Sequence, residues 1–124
     1  MEAAGRVKGL DVHDIYVRRM PQANTYRLQL VLTNVSDKGE DAEGQAVILL
    51  EGRQNGVARM LALNEVAVDT ALDLSFAFRN FKRFDVKLQL PAGFAAQRVH
   101  VELQPNDKKR SKITKTFDWP ATAN

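Results

Sequence analysis

Cysteine is missing from all 124 residues, which excludes disulfide bonds, thiolate metal ligands and a cysteine nucleophile. Cytosolic and periplasmic domains can both do without it, so the compartment stays open. Histidine is scarce as well. His13 and His100 are the only two, and their spacing to each other and to the carboxylates fits no metal-binding pattern. His13 and Asp14 are neighbours, so on a regular strand they point to opposite faces. His100 falls on the polar face of its segment, and both histidines read as ordinary surface residues. There is no glycine-rich phosphate loop, Walker sequence or strand–Gly-x-Gly–helix unit. The seven glycines read as turn residues, and Ser36, Ser75 and Ser111 sit in no nucleophile motif.

Long apolar runs are also missing. The longest, Ala46–Leu50, is far short of the roughly 20 residues that cross a bilayer. The opening Met-Glu-Ala-Ala-Gly-Arg lacks the basic-then-apolar layout of a secretion signal. It reads as a lead-in or linker over residues 1–8, followed by one soluble domain over 9–119 and a loose tail over 120–124. An apolar fraction of 44% lets a chain of this length build one sizeable core. The expectation from what is absent is a domain with no catalytic apparatus and no cofactor.

What is present is alternation. Tyr26, Leu28, Leu30 and Leu32 share one face of Thr25–Asn34, opposite Arg27, Gln29 and Thr33, with Val31 the exception. Leu72, Leu74, Phe76 and Phe78 repeat the pattern within Ala71–Arg79, as do Phe84, Val86, Leu88 and Leu90. Val99, Val101 and Leu103 follow, and Ile113, Lys115 and Phe117 form a shorter closing segment. A period of two sustained over such lengths marks half-buried strands. Val12–Met20 reads as a first strand with Ile15 and Val17 inward and Tyr16 and Arg18 outward. The continuous run Ala46–Leu50 suggests a central strand covered on both faces. Gly56–Leu63 is its expected hairpin partner through Asn55-Gly56. Leu61–Ala71 reads as irregular, with room for a helical turn.

Turn residues fall between these segments, at Pro21–Asn24, Ser36–Asp41, Pro91–Gly93 and Pro105–Asp107. Short strands at this spacing point to an all-β fold, an immunoglobulin-like or fibronectin-like antiparallel β-sandwich of about seven to eight strands. Phe76, Phe78, Phe84, Phe117 and Trp119 share faces with leucine and valine. They therefore read as packing rather than as an exposed platform for glycans or bases.

Charge is uneven but weak. Eighteen basic residues against fifteen acidic ones leave a net +3, too little for a strong long-range field. A basic tract stands at Lys108, Lys109, Arg110, Lys112 and Lys115, and Arg79, Lys82 and Arg83 flank Phe81. Both are candidate binding clusters, although solvated loop and strand residues are the simpler reading. Arg18-Arg19 is a third basic pair. Asp37, Glu40, Asp41 and Glu43 form the single carboxylate cluster, and its spacing matches no regular calcium loop. Asn34-Val35-Ser36 satisfies the formal glycosylation pattern, which is common by chance.

The succession Leu74-Ser75-Phe76-Ala77-Phe78-Arg79-Asn80-Phe81-Lys82, Leu88-Gln89-Leu90-Pro91-Ala92-Gly93-Phe94, Val99–Leu103 and Thr116-Phe117-Asp118-Trp119 resembles one family. It is similar to the C-terminal β domain of an uncharacterised family of proteobacterial envelope proteins, over about Leu28 to Trp119. Members of that family carry an inner-membrane helix and then a coiled coil ahead of the β domain. The resemblance implies a periplasmic domain whose anchor and coiled coil are absent from this chain. It also implies an association with cell-shape or peptidoglycan machinery, and it carries no catalytic residues.

Two functional expectations follow. The first is a protein-binding or scaffolding module with a partner in the cell envelope, engaged by strand addition at a free sheet edge. Val12–Met20 and the basic C-terminal hairpin are the candidate edges, unless Arg18, Arg19 and the lysine run guard them. Oligomerisation would come from the missing coiled coil, and membrane contact from the missing anchor. The second is a module that binds an anionic polymer, a phosphate-rich envelope glycan or nucleic acid, through Lys108–Lys115 and Arg79–Arg83, with nucleic acid the less favoured ligand.

Overall fold

The structure, a computed structural model, describes residues 9–35, 39–106 and 111–119. The expected lead-in over 1–8 and tail over 120–124 lie outside them. Alternation becomes eight strands among the described residues: β1 (Gly9–Arg19), β2 (Thr25–Val35), β3 (Ala42–Gln54), β4 (Val57–Ala62), β5 (Ser75–Phe78), β6 (Phe81–Gln89), β7 (Phe94–Pro105) and β8 (Ile113–Asp118). One helical turn, α1 (Leu63–Val66), interrupts them. Glu65 reaches back to accept the Ala62 amide at 2.9 Å, which closes that turn.

All ladders are antiparallel. One sheet runs β1-β2-β6 and the other β4-β3-β7-β8, with β5 also pairing with β3. The chain therefore leaves the first sheet after β2 and returns to it at β6, the crossing pattern of an immunoglobulin-like sandwich. The inner faces meet through Leu28, Leu30 and Leu32 on β2, Val86 and Leu88 on β6, Ile48 and Leu50 on β3, and Val99, Val101 and Leu103 on β7. Each such side chain contributes about 1.5–3 kcal/mol by leaving water. Trp119 closes one end, edge-on to Tyr26 with ring centroids 5.2 Å apart. Phe76 and Phe78 stack edge-to-face at 5.8 Å, and Phe117 is half-buried.

Four expectations change. Ala71–Arg79 alternates throughout, yet only Ser75–Phe78 joins a ladder. The Asp69 carboxylate accepts the Ala71 amide and the Asp73 carboxylate accepts the Ser75 amide, each at 2.9 Å. These local bonds bend the backbone away from strand pairing. Ala46–Leu50 is central in its sheet but covered on one face only. Ala46, Ile48 and Leu50 are buried, whereas Val47 and Leu49 are half-buried on the outer face, opposite Glu102 and His100.

In β1 the buried positions run Leu10, Val12, Ile15, Val17. The ladder with β2 slips by one residue between Val12 and Asp14, a bulge that adds His13. His13 and Asp14 therefore both turn outward, and Asp14 accepts the Ile15 amide at 2.8 Å.

The glycines, finally, are not all in turns. Asn55 and Gly56, at φ 53° and 84°, do form the expected two-residue hairpin turn. Gly44 and Gly52 lie inside β3. A Cβ on Gly52 would stand 2.2 Å from the Ala95 carbonyl oxygen and 2.8 Å from the Phe94 ring. One on Gly44 would stand 2.3 Å from the Gln104 carbonyl oxygen.

Asn34 ties three segments at the end of β2. It is 5% exposed, and its Nδ2 donates to the carbonyls of Glu40 and Arg79 at 2.8 and 2.9 Å. The amide that a glycan would need is thus buried and in use.

Gly52→Ala is expected to lower the unfolding free energy by about 1–3 kcal/mol, as overpacking does. The check is a shift in the urea midpoint at unchanged slope. A midpoint equal to that of the parent would mean that β3 and β7 have room for a methyl group.

Candidate functional site

The sheet faces turned away from the core carry the polar chemistry, and register decides which residues meet. On the three-stranded sheet, Arg18 pairs with Arg27 and Arg27 with Lys87, while Tyr16 pairs with Gln29 and Gln29 with Asp85. Arg27 grips Asp85 with Nε and Nη2, at 2.8 and 2.5 Å, and Gln29 Nε2 donates to the same carboxylate at 3.3 Å. The Arg27 fork holds the Asp85 carboxyl below its ordinary value of 3.8, with Gln29 assisting and burial opposing. A shallow groove runs here beside Tyr16, Arg18, Arg27 and Gln29.

The outer face of the five-stranded sheet carries a second network. His100 Nε2 lies 2.6 Å from Glu51 Oε1, and Nδ1 lies 3.0 Å from Thr116 Oγ1. Arg98 donates to Glu51 Oε2 at 2.7 Å. The His100 hydrogen bond, and then Arg98, hold the Glu51 carboxyl below its ordinary 4.5 against the opposing effect of burial. Thr, His and Glu thus follow one another across β8, β7 and β3 in the order of a nucleophile, a base and its orienting acid. Thr116 is exposed on the sheet surface. The arrangement reads as a cross-strand polar ladder.

The basic residues singled out in the sequence do not converge. Arg18 and Arg19 point to opposite sides of β1, both exposed, with Arg19 across from Tyr26. Arg79 Nε is bridged to Asp41 Oδ1 at 3.0 Å, which also takes Asp41 out of any carboxylate cluster. Arg83 and the exposed Phe81 share the outer face of β6, whereas Lys82 turns the other way, with Nζ 5.5 Å from the Phe84 ring centroid. Period two separates what the linear sequence had placed together. Lys112 is exposed ahead of β8. Lys115 Nζ donates to the Val12 carbonyl at 3.0 Å and stands 3.9 Å from Asp11 Oδ2. Lys108, Lys109, Arg110 and Asp37 lie outside the described residues. Among the described residues no cluster of His, Asp and Glu could hold a metal ion, and no helix is long and apolar enough to cross a membrane.

The edges differ in access. β1 and β8 lie against each other, and Lys115 occupies a β1 carbonyl there, so the two edges expected from the sequence partly guard one another. The outer edge of β6 meets Ala67 and Val68, which bridge to Leu88 and Lys87. β4 is different: among the described residues no strand pairs along its outer edge. The Ala46 amide bonds Leu74, so even-numbered residues of β3 aim their backbone groups towards the β4 side. Leu50, Gly52 and Gln54 hence bond Leu61, Arg59 and Val57, which leaves the amides and carbonyls of Ala58 and Met60 pointing outward. Val57 is 68% exposed and Met60 49%. Asn55-Gly56 announces the hairpin, but nothing in the linear pattern marks β4 as the end of its sheet.

The pH response has a definite sign. Asp85 and Glu51 bind protons more weakly in the folded protein than in the unfolded chain. Their contribution is in place above the ordinary carboxylate values and is lost as pH falls through the lowered folded values. Asp85→Asn is therefore expected to flatten the fall of the urea midpoint below about pH 4.5. An unchanged acid slope would show that Asp85 carries none of the effect.

Over residues 1–101 the chain matches the family described as "Family of unknown function (DUF6776)". That span takes in β1 and ends within β7, so it starts before the Leu28–Trp119 resemblance and stops short of Trp119. No curated protein matches the chain. With 101 of its 124 residues matched, the chain belongs to this family of unknown function.

Proposed function

We propose that this domain is a non-catalytic protein-binding or scaffolding module of a bacterial cell-envelope protein that takes its partner as an added strand at β4. The open β4 edge carries the reading. It offers outward amides and carbonyls at Ala58 and Met60 with exposed apolar side chains at Val57 and Met60. An extended segment laid there would gain main-chain hydrogen bonds along the strand and apolar contacts beside it. The edge carries one cation, Arg59, whose guanidinium bonds Gln54; it has no proline and no bulge, the usual devices against such pairing. The resemblance to envelope proteins supports the setting: a domain on the periplasmic side of the inner membrane, held by an anchor and coiled coil, serving cell-shape or peptidoglycan machinery.

The discriminating variant is Ala58→Pro. Proline is tolerated on an edge strand where its missing amide faced solvent, so the isolated domain should keep its unfolding midpoint. The full-length protein, cross-linked in its native envelope, should lose the partner that the parent captures. Undiminished capture by a folded Ala58→Pro protein sinks strand addition at β4.

A further inference from the structure

We propose a second docking surface, the outer face of β1-β2-β6, which takes an acidic segment of a partner protein on Arg18, Arg27 and Lys87. The row is set by register: Arg18, Arg27 and Lys87 stand directly opposite one another on three adjacent strands, whose backbones are about 4.8 Å apart. Like charges in opposed positions destabilise a sheet, and here the relief is incomplete. Arg27 has Asp85, but the side chains of Arg18 and Lys87 have no hydrogen-bond or ion-pair partner among the described residues. Several cations elsewhere are engaged, Arg79 by Asp41, Arg98 by Glu51 and Lys115 by the Val12 carbonyl. An incoming carboxylate would supply the counter-charge that the fold leaves out.

The face also displays the geometry it would use. Arg27 already holds a carboxylate with both arms of its guanidinium while the Gln29 amide donates to the same group. Tyr16, 51% exposed on the neighbouring row, adds an apolar flank with a hydroxyl. Carboxylate rather than a nucleic-acid backbone is favoured for two reasons. Asp85 stands within the patch and Asp14 beside it, where a polyphosphate would need uninterrupted cations. Tyr16 is also alone there, since exposed Phe81 lies two rows away opposite Thr33, and stacking of successive bases needs several rings. The surface is distinct from the β4 edge and stands independently of it.

The probe is a fluorescent glutamate-rich decapeptide titrated with the domain at low salt. Arg18→Ala/Lys87→Ala should weaken its binding by about tenfold or more, as loss of two charge-assisted contacts does. Arg53→Ala/Arg59→Ala, which removes the same charge from the β3–β4 hairpin, should change it little, and Ala58→Pro should leave it intact. Amide chemical-shift changes on the parent protein should centre on Tyr16, Arg18, Arg27 and Lys87, a readout that needs no variant. Equal weakening by both double variants would overturn the proposal as a net-charge effect. So would shifts centred elsewhere, absence of peptide binding, or an oligothymidylate that binds as tightly as the peptide.

Discussion

The pairing of β3 with β7 is the constraint on which the rest of the sandwich depends. The two strands run together from Gly44 to Gln54 and from Phe94 to Pro105, and they approach closely enough that glycine alone fits at Gly44 and Gly52. Everything else in the larger sheet hangs on this pair: β4 and β5 share the far side of β3, and β8 lies along β7. The same two strands send Ile48, Leu50, Val99, Val101 and Leu103 into the core. Side-chain size at two backbone contacts thus sets the position of the strand that presents the free edge.

Against that apolar frame, the polar surface divides by how completely each charge is answered. Glu51 has three partners in His100, Arg98 and, through the ring, Thr116, so the outer face of the larger sheet is close to electrically settled. The smaller sheet is not, because its single buttressed carboxylate serves one cation of a row of three. Neither arrangement adds much stability, since exposed pairs are screened by solvent. Their consequence lies in recognition: one face offers little to a charged partner, and the other offers a defined deficit.

Much of the fold was legible in the sequence because burial imposes period two, and the alternating runs became β2, β6 and β7 nearly as read. The departures came from local chemistry that competes with alternation. Asp69 and Asp73 capture amides and shorten β5, and one extra residue at His13 turns His13 and Asp14 to the same side of β1. The site was far less legible. Arg18, Arg27 and Lys87 are remote in the chain and become neighbours only once register is set, whereas Arg79, Lys82 and Arg83 are close in the chain and are dispersed by it. Gly52 gave no hint of its role, because a close backbone approach involves a residue more than forty positions away.

The bond from Lys115 to the Val12 carbonyl joins positions 103 residues apart. Contacts that distant close last, after the loop entropy of the whole chain has been overcome. During synthesis the flank of β1 accordingly stays unguarded until residue 115 has emerged, although β1, β2 and β6 can pair earlier. A nascent chain of this domain therefore passes through a stage with an open flank at β1 as well as at β4, which lasts until β8 has formed.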